Sequence, residues 1–289
     1  MYTYALSVSS TYAEDPAFIE AVKKSKVKKF EFGPPGDVPP EQYATAVSNI
    51  LKYHDESGIE AASIHIPFGV TPWVPSRAAE RKEALAAVRG LMKAWSPLRP
   101  ARYTMHGCTE ADIDVPRKDQ IRDCRDFLSE IMPDLEEAKT SFNIEYLPRT
   151  CIGNVPEELE EIVDGFPADR VGICLDVNHA SPRTEIMPQL IRRLGPRINT
   201  FHISDTDGVD ECHWFPGYGI IDWPACMKEI KALTRDVLLV LEVNKIIFPE
   251  WQKNHHNNHS SDLAAMEANV FFLENAEEMT RRRAAFVLP

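Results

Sequence analysis

The chain has little of what would tie it to a membrane, a nucleic acid or an oxidising compartment. Its 289 residues contain no run of about 20 apolar residues, so no segment reads as a membrane span. The first residues, MYTYALSVSSTYAEDP, lack the basic stretch and continuous apolar run of a secretory signal. Lys and Arg number 32 against 44 Asp and Glu, a formal net charge of -12. That balance disfavours a general polyanion-binding role, because phosphate contacts rest on an excess of cations. The six cysteines, Cys108, Cys124, Cys151, Cys174, Cys212 and Cys226, form neither CxxC pairs nor a disulfide framework. A reducing cytoplasm is therefore the default expectation. No glycine-rich turn follows the first strand-like run, which argues against a doubly wound nucleotide-binding sheet. No linker or break in composition divides the chain, so residues 1–289 are expected to form a single domain.

What is present is a regular alternation of short β-like runs with longer helical ones. Strands are expected at Tyr2–Val8, Val27–Phe32, Ile59–Phe68, Arg102–His106, Ser141–Leu147, Val171–Leu175, Asn199–Ser204 and Val237–Val243. Helical patterns follow at Pro16–Ser25, Pro40–Ser57, Ser76–Lys93, Pro116–Lys139, Pro156–Asp164, Met187–Leu194, Trp223–Leu233 and Ser261–Arg283. Strand–helix alternation points to a parallel sheet. Eight such units in under 300 residues point to an α/β fold, a (β/α)₈ TIM barrel, which typically needs about 250 residues.

In such a barrel chemistry gathers at the carboxyl ends of the strands. Those ends supply His65 in SIHIPF, His106 in YTMHG, Glu145 in FNIEYLP, Asp176 and His179 in LDVNHA, His202 and Asp205 in TFHISD, and Glu242 in VLEVN. Any one of them has an ordinary structural explanation: a hydrogen-bonded core histidine, an ion-paired carboxylate, a turn cap. Six successive strands ending in buried ligand-type groups are harder to explain that way, because such groups are uncommon in a core unless paired or coordinated. Mixed carboxylate and imidazole donors suit Zn²⁺, Mn²⁺, Co²⁺ or Fe²⁺ better than an all-oxygen Ca²⁺ site.

The segments FNIEYLP, GICLDVNHA, TFHISD, PGYGIIDW at Pro216–Trp223 and LVLEV together resemble the xylose isomerase-like TIM barrel superfamily along essentially the whole chain. That superfamily holds sugar isomerases, sugar 3-epimerases, inosose-converting enzymes and the endonuclease IV type of apurinic endonuclease. The resemblance implies one divalent metal ion (Mn, Zn, Co, Mg or Fe) on Glu145, Asp176, His202 and Glu242. It also implies that Glu145 and Glu242 act as an acid/base pair, passing protons to and from a metal-stabilised enediolate of a sugar, sugar phosphate or cyclitol. His179 resembles the histidine of the family's Asp-x-x-His motif, which contacts substrate or completes the site. The endonuclease branch would add His65, His106 and His213 and hold up to three metals. Its Asp-x-His segment falls near Glu211-Cys212-His213, with Glu in place of Asp. An inosose-type dehydratase shares the same ligand set. Epimerases often carry an arginine just before the Pro-Gly-x-Gly turn; here His213 and Trp214 stand there, pointing to a nonstandard sugar, cyclitol or keto acid. The expected partner is thus a small sugar or polyol rather than nucleic acid or membrane, with a homo-oligomer left open.

Several other residues stand near this rim. Lys253–His259 (KNHHNNH) has the look of a metal tract and is read as a solvated polar loop. Phe68, Trp73, Tyr146, Trp214 and Trp251 could stack on a sugar ring or simply pack. Glu31 ends the second strand with either a substrate or a neighbouring basic group in reach, and Cys108 lacks any motif that would make it a nucleophile.

Overall fold

Each of the eight β-like runs forms a strand, and the strands close on one another in chain order. A computed structural model describes residues 1–37, 43–68, 75–108, 114–209, 211–243 and 259–287, the last three of these by backbone alone. The strands are β1 (Tyr2–Ser9), β2 (Lys29–Gly33), β3 (Glu60–His65), β4 (Arg102–Met105), β5 (Ser141–Glu145), β6 (Val171–Asp176), β7 (Ile198–Ile203) and β8 (Val237–Leu241). All neighbours pair in parallel and β8 returns to β1, giving a closed barrel. The helices are α1 (Pro16–Lys24), α2 (Ala44–Ser57), α3 (Arg81–Trp95), α4 (Arg117–Ala138), α5 (Pro156–Val163), α6 (Met187–Leu194), α7 (Trp223–Ala232), α8 (His259–Glu274) and α9 (Ala276–Val287). No helix among the described residues is long and apolar enough to cross a membrane.

Period-two alternation sorts the strand side chains. Phe30, Phe32, Phe142, Ile144, Ile173, Leu175, Phe201, Ile203, Leu239 and Leu241 face the helices and join one continuous core with residues such as Trp95, Phe127 and Ile191. The alternate positions, including Glu31, Ser63, Thr104, Asn143, Glu145, Asp176, Thr200 and His202, are equally buried but polar. A barrel interior this polar has to be hydrogen-bonded across its axis, and it is: Asn143 Nδ2 reaches Thr200 Oγ1 on a strand two places away at 3.4 Å.

Two register shifts tune that interior. One, between Phe30 and Glu31, leaves Ala62 of β3 without a partner on β2 and sets Glu31 opposite Ser63. The other, between Ile173 and Cys174, leaves Asn199 of β7 unpaired with β6 and sets Asp176 opposite His202. Such bulges re-aim side chains next to functional sites. Gly172 makes room for the second: a Cβ there would stand 2.1 Å from Asn199 Nδ2 and 2.9 Å from the Arg197 carbonyl.

The helix ends differ from expectation at the start of α3 and in the tail. α3 starts at Arg81, after a separate 3₁₀ turn at Ala78–Glu80. The start expected for α2 at Pro40 lies outside the described residues. The tail pattern at Ser261–Arg283 is broken at Asn275, which accepts no further helix from α8 and opens α9.

Candidate metal and active site

His202 stands at the centre of the strand ends. Its Nδ1 lies 3.0 Å from Glu242 Oε2, 3.2 Å from Glu145 Oε1 and 3.8 Å from Asp176 Oδ2. Its Nε2 lies 3.0 Å from Glu31 Oε1 on the other side of the ring. Glu145, Asp176, His202 and Glu242 each offer one donor atom, and these four atoms lie within 4.8 Å of one another. The quartet read from the sequence is thus brought together.

The donor set fits a divalent cation. Asp176 is fully buried, its Oδ1 takes the Asn178 amide N–H at 2.7 Å, and its Oδ2, buried as well, has no hydrogen-bond partner. A buried carboxylate oxygen without a donor is costly unless something cationic meets it. Burial above all, with Glu242 and Glu145 adding to it, pushes the Asp176 carboxyl upward despite His179 and His213. Glu145 is also buried; burial alone would raise it, but His202 and His106 outweigh that and hold it well below the usual carboxylate range. Three carboxylates of this kind around one imidazole nitrogen make a mixed O/N donor set of the sort a divalent cation takes.

The remaining histidines surround the quartet. His65 Nε2 and His106 Nε2 lie 3.2 and 3.1 Å from Glu145 Oε2, the oxygen turned away from His202. His65, Glu145 and His202 form a second group of donors within 4.8 Å, and Asp176, His179 and His213 a third. His179 Nδ1 is fixed by the Tyr146 carbonyl at 2.8 Å, which turns Nε2 towards Asp176 Oδ2 at 3.5 Å and Glu211 Oε2 at 3.9 Å. His213 has a left-handed backbone, φ 47°, rare for a side chain with a Cβ. That conformation sets its Nδ1 3.2 Å from both Ser204 Oγ and the Glu242 carbonyl.

Asp205 departs from the expectation that it could join a metal set. It is fully buried, and its two oxygens accept from the N–H groups of Thr206 (3.0 Å), Ile221 (3.1 Å) and Gly217 (2.8 Å) and from Trp223 Nε1 (2.8 Å). Its role is to bolt down the loop that carries Glu211 and His213. The PGYG motif follows from this: Gly217 has φ 89°, and a Cβ on Gly219 would stand 2.2 Å from the Thr206 carbonyl and 2.3 Å from Asp205 Oδ1.

Two cavities open over the quartet. One, of about 270 Å³, is lined by His106, Glu145, Arg149, His179, Glu211 and Glu242. The other, of about 340 Å³, is lined by Ser7, Ser9, Gly33, His65 and Glu242, and Phe68 borders both. Phe68 is more than half exposed and stacks on His106, ring centres 4.3 Å apart. A larger cleft of about 610 Å³ lies outside the barrel between α7 and α9, lined by Lys231, Glu274 and Glu277, and contains none of the strand-end groups.

The other rim candidates sort clearly. Tyr146 is buried, with no face open to a ligand. Trp73, Trp251 and residues 253–258 of the histidine tract lie outside the described residues. His259 is not solvated: it opens α8, is buried, pairs with Asp15 at 3.0 Å and packs edge-on against Tyr12 and Phe18. Cys108 is buried and takes the Ile152 N–H on its sulfur, and its contact with Cys151, with burial adding to it, pushes its thiol far up, the reverse of an activated nucleophile.

A pH dependence follows for the metal-free protein. Although burial opposes it, Glu145 raises the His65 imidazole to about 9 from its ordinary 6.5. A raised histidine stabilises the fold fully below 6.5 and loses that contribution as pH climbs through about 9. Glu31 and Glu145 are lowered, so their contribution is present above 4.5 and lost only in acid. Metal binding runs the other way, since imidazole ligands must be unprotonated. The Tm gap between metal-loaded and chelator-treated protein should therefore widen from pH 6 to pH 9 in thermal denaturation. A constant gap contradicts it.

Residues 19–267 match the xylose isomerase-like TIM barrel family, and the chain belongs to that family. Among solved structures it resembles a D-tagatose 3-epimerase-like protein at TM-score 0.73 and 19% identity, over 96% of this chain and 99% of that one. It resembles the IOLI protein with a bound zinc atom at TM-score 0.72 and 18% identity, over 94% and 98%. The D-psicose 3-epimerase of Clostridium cellulolyticum H10, solved with D-tagatose, gives TM-score 0.71 and 16% identity, over 93% and 99%. At these identities the likeness bears on the fold alone. An uncharacterized protein of Methanocaldococcus jannaschii is 29% identical over 124 residues, which span 41% of this chain and 42% of that protein.

Proposed function

We propose that this chain acts as one catalytic barrel, a divalent-metal-dependent isomerase or epimerase of an unphosphorylated sugar or related polyol. The observation that carries the reading is the pair Glu145 and Glu242: they come from β5 and the end of β8, flank His202 Nδ1, and line one cavity. When bound by the quartet, a divalent cation would polarise a substrate carbonyl and offset the negative charge of an enediolate. The protein's own part is proton transfer. One glutamate removes the proton from the carbon beside the carbonyl; the other delivers a proton to the opposite face. Sugar epimerases and a zinc-bound protein among the structural relatives support the same reading.

The charge of the pocket argues for a neutral substrate. Among the described residues lining the two cavities, the only Arg or Lys is Arg149, and it is ion-paired with Glu211. A phosphate would meet Glu145, Glu242 and Glu211, with Arg149 and the histidines of the rim as the only cationic groups among the described lining residues.

The Asp176, His179, His213 group favours a second reading, a phosphodiesterase that uses several metals. Metal analysis with a substrate screen separates the two. The proposal expects about one ion per chain and conversion of free ketoses, aldoses or inososes that a chelator abolishes. About three ions per chain with cleavage of abasic duplex DNA would replace it. Loss of water from an inosose would shift it to a dehydratase.

A further inference from the structure

Glu31 sits on the far side of His202 from the carboxylate cluster, and nothing in the acid/base chemistry uses it. It is fully buried. Its two oxygens have separate tasks. Oε2 accepts from Ser63 Oγ at 2.6 Å and Thr104 Oγ1 at 2.9 Å, while Oε1 is left to His202 Nε2 at 3.0 Å. These partners come from β3, β4 and β7, so one side chain of β2 ties four strands beneath the metal quartet. The β2–β3 register shift at Ala62 places Ser63 opposite Glu31.

A carboxylate only accepts hydrogen bonds, so the ring nitrogen facing Glu31 carries the proton. A cation held by the quartet would take the lone pair of Nδ1, the nitrogen that faces Glu145, Asp176 and Glu242, and leave Nε2 as the protonated one. A ring held from behind in this way is fixed in tautomer, orientation and donor strength. We propose that Glu31 is a positioning residue, which locks His202 as the Nε2–H tautomer and so sets the affinity and geometry of the metal centre. This rests on the metal-dependent reading given above. Ser63 and Thr104 act through Glu31, by holding Oε2 so that Oε1 points at the ring.

The test is direct metal binding by the full chain, with catalysis left aside. Metal-free wild type and Glu31→Gln are titrated with Co²⁺ while visible absorption is followed, and Zn²⁺-loaded samples report the His202 ring nitrogens by NMR. Gln keeps the volume but can present an N–H to the ring. The expected result is a roughly 10- to 100-fold weaker Kd, an altered Co²⁺ spectrum, and loss of the single Nε2–H signal. Equal Kd and spectrum in wild type and Glu31→Gln would overturn the role given to Glu31. If wild type itself binds no Co²⁺ or Zn²⁺, it is the metal-dependent reading that fails, and the inference goes with it. Should Glu31→Gln not fold, the Ser63→Ala/Thr104→Val double variant keeps the carboxylate and frees it to turn. It should bind Co²⁺ several-fold more weakly, and unchanged affinity would overturn the proposal.

Discussion

Glu242→Gln and Glu145→Gln should each lower kcat by about 10²- to 10⁴-fold, the usual worth of a positioned acid or base. The two losses should differ in kind. Glu145 is closed in by His65, His106 and His202, with an oxygen within 3.2 Å of a ring nitrogen of each. Its amide variant should lose metal affinity along with turnover. The Glu242 side chain is 28% exposed and borders both cavities, so it is better placed to meet solvent and substrate. Glu242→Gln should keep more of its metal and should exchange the carbon-bound proton of only one epimer, because the carboxylate serving the other face is gone. The check is turnover and metal content on the same preparations. Either variant keeping wild-type turnover would remove that residue from the acid/base pair.

Asp205→Ala is expected to be the most destabilising single change in the loop between β7 and α7. It strands three backbone N–H groups and the Trp223 indole, and of these donors Thr206, Ile221 and Trp223 belong to buried residues. Each orphaned donor costs about 1–3 kcal/mol, and since the four share one acceptor the combined cost should be about 3–5 kcal/mol. At about 2–4 °C per kcal/mol, Tm falls by about 6–20 °C. Glu211 and His213 are carried on that loop, whereas the quartet sits on strand ends, so the variant should still take up metal at low temperature. A melt within about 2 °C of wild type would show that Asp205 does not secure the loop.

The barrel was legible because strand–helix alternation is a local property, repeated eight times with little interruption. The quartet was legible because ionisable groups recur where apolar runs end, and because those runs resemble a known family. The bulges were not: Ala62 and Asn199 look like any other residue in a strand, and only pairing shows that they are supernumerary. The sequence placed Glu31 between a substrate and a basic neighbour, and the fold resolves this in favour of His202, 171 residues further on. Asp205 misled for a related reason. Ser204-Asp205 follows a strand like the other ligand pairs do, yet its carboxylate turns to N–H groups supplied by a loop that the local pattern does not bring near. His259 was masked by its polar neighbours, although Asp15, Tyr12 and Phe18 enclose it.

The central claim is that two glutamates move a proton on and off carbon beside a carbonyl, and solvent deuterium tests it most directly. Wild type loaded with Mn²⁺ or Co²⁺ is incubated in D₂O with a substrate found in the screen, and the recovered sugar is read by NMR. Proton transfer through Glu145 and Glu242 predicts deuterium at the carbon that changes configuration or oxidation level, in step with turnover and absent from the Glu145→Gln/Glu242→Gln double variant. Turnover that leaves that carbon fully protiated would mean that hydrogen passes within the substrate as hydride, and would contradict the account.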